Sequence, residues 1–341
     1  MTQGDDGSER REPPAGTAFG ADPRREDMAV EVWARSPETS PGRHTYYDRP
    51  VLKEPVWIWT VPAYFYVGGA AGAAVVLGEV TEAVGARDTA ALVRNARRIG
   101  AAGGALGTVL LVADLGRPGR FLNMLRVLRP SSPMSLGSWL LAAAAPMFAV
   151  SALLPHEGGS LGRVGRTAGR VSAAMGLPLA SYTAALLSTT AVPLWSSARR
   201  ALPYLFVFSA VSSASSLLSL TRLNEREARI VDNFALVGEL GEFAAGYAVE
   251  RAIGRVPAVA TPLRQGLSGA LWRASKALNV VGLALGAVPG TGRAIRVASG
   301  LVGTAGGLAT RFALFHAGKA SARDPKASFE AQRSAERAGG G

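Results

Sequence analysis

The chain has 341 residues, of which 48% are hydrophobic, with a net charge of +12 and no cysteine. The absence of thiols excludes disulfides, thiol catalysis, and iron–sulfur or thiolate–zinc ligation by this chain. The basic balance does not point to nucleic acid, because the arginines stand between long apolar runs rather than together on one soluble stretch.

Residues 1–50 are polar and rich in Arg, Glu, Asp, Pro and Gly, and read as a disordered tail. They hold no apolar h-region, so no signal peptide is expected. Eight apolar segments follow, at about residues 56–80, 91–113, 135–154, 171–194, 201–220, 228–249, 266–288 and 294–317. Each is close to the ~20 residues needed to cross a hydrocarbon core. Backbone groups in lipid must be satisfied internally, and the period-2 alternation of a barrel is absent, so these segments read as helices. The expected fold class is an all-α integral membrane protein, an eight-transmembrane-helix bundle, with residues 319–341 a disordered polar tail. The seventh segment is the weakest, because Arg273 and Lys276 lie in its first half. Eight crossings put both ends of the chain on one side, and the long, charged N-terminal stretch favours the cytoplasm. The positive charges on the two sets of short loops do not discriminate.

One stretch differs from everything around it. Asp114 to Trp139 reads DLGRPGRFLNMLRVLRPSSPMSLGSW. Gly116 and Pro118 break the preceding helix, and Pro118 suits the first turn of a new one. Phe121, Met124, Leu125 and Leu128 then fall at i, i+3, i+4 and i+7. An interfacial amphipathic helix over 118–129 is expected, with its arginines toward water and headgroups.

Charged or hydroxyl-bearing side chains within such segments are the informative ones. Asp232, Glu239 and Glu242 lie near one face of the sixth segment, which suits a proton path or, alternatively, ion pairs with Arg273 and Lys276. Glu79 and Glu82 end the first segment within reach of Arg94, Arg97 or Arg98. Tyr64, Tyr66 and Tyr182 carry hydroxyls able to bond a quinone carbonyl or a neighbouring helix. Asp114 is placed either to take a proton from a quinol or to pair with Arg117 or Arg120. The three histidines, His44, His156 and His316, cannot supply facing pairs inside a bundle, so no bis-histidine haem is expected. No phosphate loop, zinc-ligand spacing or catalytic triad stands out, and no metal site is expected.

The stretch from Asp114 to Trp139 resembles the NrfD family, the polysulfide-reductase-type membrane subunits of molybdopterin and iron–sulfur oxidoreductases. So do WIWTVPAYFYVGGAAGA from Trp57 to Ala73, PLASYTAALLSTTAVPLW from Pro178 to Trp195 and GLATRFALFHAGKASARDP from Gly307 to Pro325, in the expected order. The resemblance implies two four-helix halves without haem, and menaquinone or ubiquinone bound near one membrane face. It also implies electron exchange with an iron–sulfur ferredoxin-like subunit that connects to a molybdopterin catalytic subunit. Carried over by position, the quinone-binding candidates are Tyr64, Asp114, Arg117 and Tyr182. Many relatives have histidine where this chain has Asp114. On this reading Tyr64 and Tyr182 orient the ring and Asp114 relays a proton. Arg117 and Arg120 hold the carboxylate or stabilise negative charge on the ring, and Glu239 and Glu242, with Asp232, form a proton path. Two other classes remain open: a permease-like transporter using the buried charges, and a passive anchor that has lost quinone chemistry.

Overall fold

The computed structural model describes residues 50–339 apart from Pro118, Ala287 and residues 289–291, with side chains described through Arg333. All but the last residue of the expected N-terminal tail, including His44, lies outside the described residues. Within them every regular element is an α-helix. The helices are α1 (Thr60–Ala83), α2 (Ala90–Asp114), α3 (Gly119–Met124), α4 (Pro133–Leu153), α5 (Gly159–Ser188) and α6 (Pro193–Ser197), followed by α7 (Leu202–Ser219), α8 (Glu225–Ile253), α9 (Pro257–Arg264), α10 (Gly266–Gly286), α11 (Arg293–Arg323) and α12 (Pro325–Gly339).

Each of the eight expected segments overlaps a long helix, but five helices (α1, α2, α4, α5 and α7) are long and apolar enough to cross a membrane. The other three long helices are more polar: α8 carries acids along its length, α10 carries Arg273 and Lys276, and α11 carries Arg293, Arg296, Arg311 and Lys319. Two local expectations change. The interfacial helix is short, Gly119–Met124, with none of its side chains buried, and Leu125 and Leu128 lie beyond it. Pro133 opens the next helix, and the Ser135 hydroxyl ties down the irregular chain before it by accepting from Arg129 N at 3.0 Å and donating to Val127 O at 3.3 Å. The C-terminal stretch, expected to be disordered, is helical over Pro325–Gly339, where Asp324 caps it by accepting from Lys326 N at 2.9 Å.

Helix α1 is the axial helix. Of its most apolar stretch 83% is buried inside the protein, against 28% for α2. Its run Gly68 to Ala74 has no side chain larger than a methyl group, so neighbours approach to backbone contact. A Cβ on Gly72 would run into the carbonyl of Gly176 in α5, and a Cβ on Gly176 into that of Gly72. Helices α1, α2, α4 and α5 pack as one group, and α7, α8, α10 and α11 as another, with α1 touching α7 and α11. Helix α8 begins with a capping box in which Asn224 and Glu227 bond reciprocally at 2.9 Å. The free oxygen of Glu227 accepts from Leu92 N at 2.7 Å, satisfying a donor in the first turn of α2.

The segment before α1 is tied to the end of α11. Glu54 pairs with Lys319 at 3.0 Å and with Arg323. Lys319 also donates to Trp57 O at 3.0 Å, and the Trp57 ring stacks on Trp195 at 6.0 Å. Partial burial works against the Glu54 charge, but the hydrogen bonds and positive charges of Arg323 and Lys319 more than offset it and hold its carboxyl below the ordinary 4.5. A depressed carboxyl stabilises the fold above that value and loses the contribution as pH falls through its folded pKa.

Two measurements check this packing. Gly72→Val should cost about 1–3 kcal/mol or more through overpacking against α5, read as a lower unfolding midpoint of the detergent-solubilised protein. Glu54→Gln should cost about 1 kcal/mol near neutral pH, with the gap from the parent closing as pH is taken below 4.5.

Candidate functional site

Asp114 is the last residue of α2, where the carbonyl end of the helix disfavours a carboxylate. Its stabilisation comes from the neighbouring chain. Thr60, the first residue of α1, donates its hydroxyl to Asp114 Oδ1 at 3.2 Å, and Ile58 N–H points to the same oxygen at 3.4 Å. The acid thus sits at the positive, N-terminal end of α1. Among the described residues neither Arg117 nor Arg120 pairs with it: Arg117 is exposed and Arg120 half-buried on the chain just beyond.

Tyr64 lies one helical turn into α1 from Thr60. Its ring fills the space left by Gly68 in its own helix and Gly107 in α2, each of whose Cβ positions is 3.4 Å from ring carbons. The phenol oxygen is buried and has no protein hydrogen-bond partner. Tyr182 on α5 is close enough to interact electrostatically with Tyr64, and its phenol occupies the notch left by Gly137 of α4, where a methyl group would collide with it. Tyr64, Asp114 and Tyr182 therefore belong to one helix group, with Asp114 joined to Tyr64 through Thr60.

The acids of α8 lie in the other group. Glu239 and Glu242 are buried, at 6% and 5% exposure, and Asp232 is half-buried. Glu242 accepts from the Ser212 hydroxyl of α7 at 3.0 Å and the Thr310 hydroxyl of α11 at 2.9 Å. One oxygen of Glu239 has no protein partner. The pairing of these acids with Arg273 and Lys276 is not what forms: Lys276 pairs with Glu250, and Arg273 donates to Arg264 O at 2.9 Å. The cation beside Glu242 is Arg311, the residue after Thr310, which is 1% exposed. Its guanidinium lies 4.0 Å above the Phe206 ring and donates from Nη2 to Phe206 O at 3.0 Å. Its Nε and Nη1, like the hydroxyls of nearby Tyr66 and Ser213, find no protein partner. Sequence reasoning missed Arg311. The signal was there, a lone arginine inside the last apolar run.

A third cluster closes the opposite end of α1. Arg97 bonds Glu79 at 2.7 Å and also Glu82, as one of the sequence readings of those acids had it. Glu79, Glu82 and His156 bring ligand-type atoms within 4.8 Å of one another. Arg97 already occupies both carboxylates. Burial, reinforced by the Arg97 charge and opposed by the two acids, holds the His156 pKa below 6.5, so the imidazole is neutral near pH 7.

Residues 50–321 match the model of the family described as "Polysulphide reductase, NrfD". A search of curated proteins finds no match.

The Thr60 contact predicts a separable effect. Thr60→Val should leave the helices intact by circular dichroism yet release Asp114, whereas Thr60→Ser should keep the parent behaviour. The carboxylate stretch of Asp114, followed by infrared difference spectroscopy against Asp114→Asn, should shift in the valine variant only.

Proposed function

The chain belongs to the polysulphide reductase NrfD family, and from that membership and the geometry above we propose that it is the quinone-binding membrane subunit of a multi-subunit oxidoreductase. The coarse part follows from the family: a multi-pass membrane subunit of a quinone-linked oxidoreductase. The finer reading is that α8, α10 and α11 complete an eight-helix crossing, with the ends of the chain in the cytoplasm. Menaquinone or ubiquinone is held between Tyr64, Asp114 and Tyr182, with Arg117 and Arg120 at the rim.

The observation that carries this reading is the buried Tyr64 hydroxyl with no protein partner, on the helix whose first residue, Thr60, holds the Asp114 carboxylate. An unpaired phenol in an apolar interior is costly, and a carbonyl acceptor removes the cost. A bound quinone supplies two-electron, two-proton redox chemistry. Tyr64 donates its O–H to the ring oxygen, and Tyr182, held in the Gly137 notch, fixes the ring's position. Asp114 accepts a proton and passes it toward water at the exposed end of α2. Arg117 and Arg120 keep the local potential at the rim positive. The chain has no cysteine for a cluster, so electrons pass to a partner, an iron–sulfur ferredoxin-like subunit linked to a molybdopterin subunit. Glu239, Glu242 and Asp232 provide a proton path through the second helix group.

Asp114→Asn in the intact complex should reduce quinol-linked turnover at least tenfold while the purified complex keeps its quinone. Unchanged turnover removes Asp114 from the mechanism, and a complex that never held quinone favours the passive anchor. Tyr64→Phe should raise KM for quinol severalfold with a smaller change in kcat, because it removes a binding contact rather than a proton carrier.

A further inference from the structure

A crevice of about 210 Å³ opens between α7, α8, α10 and α11. Its outer part is lined by Glu250, Trp272 and Lys276, its inner part by Ser275, Asn279, Thr310 and Glu242. At the rim, Lys276 pairs with Glu250, lies 5.4 Å over the Trp272 ring, and Trp272 donates its indole N–H to the same acid. At the inner end, Thr310 donates to Glu242, and Arg311, nearly fully buried, follows with two guanidinium nitrogens unpartnered by protein.

The chemistry of this lining selects its occupant. Leu205, Phe243 and Tyr247 complete the wall, but an apolar ligand would still set the Asn279 amide and the charged rim of Glu250 and Lys276 against hydrocarbon. A metal cation would face Lys276 and the fixed charge of Arg311, and an anion would face Glu250 and Glu242. Water can bond the Asn279 amide and both charges of the rim, and the volume holds several molecules. The Nε and Nη1 of Arg311, the residue after Thr310, have no protein partner and place a polar demand just past the inner end.

We infer that this crevice is the aqueous inlet of a proton route, with the Glu250–Lys276 pair as its rim, Glu242 as its first internal acceptor and Arg311 as a permanent positive charge at its inner end. This rests on the proton path proposed above and adds its entrance and its face. A proton from water in the crevice converts the Glu242 carboxylate to the acid; handed to Glu239, it restores the Glu242 carboxylate, and no electron moves. Glu250 lies one turn from the end of α8 and Trp272 two turns from the start of α10. Those ends share a face with the end of α11, to which the chain before α1 is tied by Glu54, and hence with Asp114. The inlet therefore opens on the face that carries the candidate quinone site.

The natural absence of cysteine makes the test direct. Single Ser275→Cys and Asn279→Cys variants of the full chain, in sealed membrane vesicles of each orientation, are treated with two membrane-impermeant thiosulfonates, one cationic and one anionic, and the faster rate is taken. Ser131→Cys, on the exposed loop of the Asp114 face, and Arg222→Cys, on the opposite face, report sidedness; Leu240→Cys, on the outer apolar surface of α8, reports background. Labelling of Ser275→Cys and Asn279→Cys at least tenfold faster than Leu240→Cys, from the side that labels Ser131→Cys, is the expected result. Labelling at the Leu240→Cys rate, or from the side that labels Arg222→Cys, overturns the inference. Quinone content and turnover of the same preparations are read separately, so failure of the quinone reading is distinguishable from failure of the inlet.

Discussion

Close contact between α1 and its neighbours is the constraint on which the rest depends. Gly72 and Gly176 let two helices meet backbone to backbone, and the small residues from Gly68 to Ala74 extend that closeness to helices on every side. Dry helix contacts in an apolar surround are held by dispersion and shape rather than by expulsion of water, so a single added methyl group matters. With α1 at the axis, consecutive side chains on it face different helix groups.

That placement explains the division of labour in the interior. Tyr64 and Tyr66 are two residues apart, which on a helix turns them to nearly opposite sides. Tyr64 faces Gly107 and Tyr182 in the first group; Tyr66 faces Gly307, Ser213 and Arg311 in the second. Phe65, between them, meets Phe206 edge-on at 5.9 Å, and Phe206 in turn supports the Arg311 guanidinium from below. One helix thus presents an unpartnered phenol to each half and an aromatic bridge between them.

Buried charge is distributed so that each group is either answered or left for a solvent or ligand atom. Arg97 answers Glu79 and Glu82, and Ser212 and Thr310 answer Glu242. Tyr64, Glu239 and Arg311 retain unanswered atoms, and these are the groups on which the proposed chemistry is built. Serines elsewhere in α7 turn their hydroxyls back onto their own helix: Ser215, Ser216 and Ser219 each donate at 2.9 Å to the carbonyl four residues earlier.

The linear order of residues was enough to establish helical segments, their approximate bounds and the absence of cysteine chemistry, because apolar run length and composition are local properties. It was also enough to single out Tyr64, Asp114 and Tyr182 as chemically expensive or useful, and to place them in a family motif. Partner choice was not legible. Asp114 binds Thr60 rather than an arginine beside it, Lys276 takes Glu250 instead of a deeper acid, and Arg311 on the last long helix comes to lie beside Glu242. Each of these contacts joins residues far apart in the chain or chooses among several equal candidates nearby, and only the way the helices rotate and cross about α1 decides it. The C-terminal helix belongs to the same class: its sequence is polar enough to read as disordered, yet its first turns lie against α9 and α11, with Ala327 wholly buried.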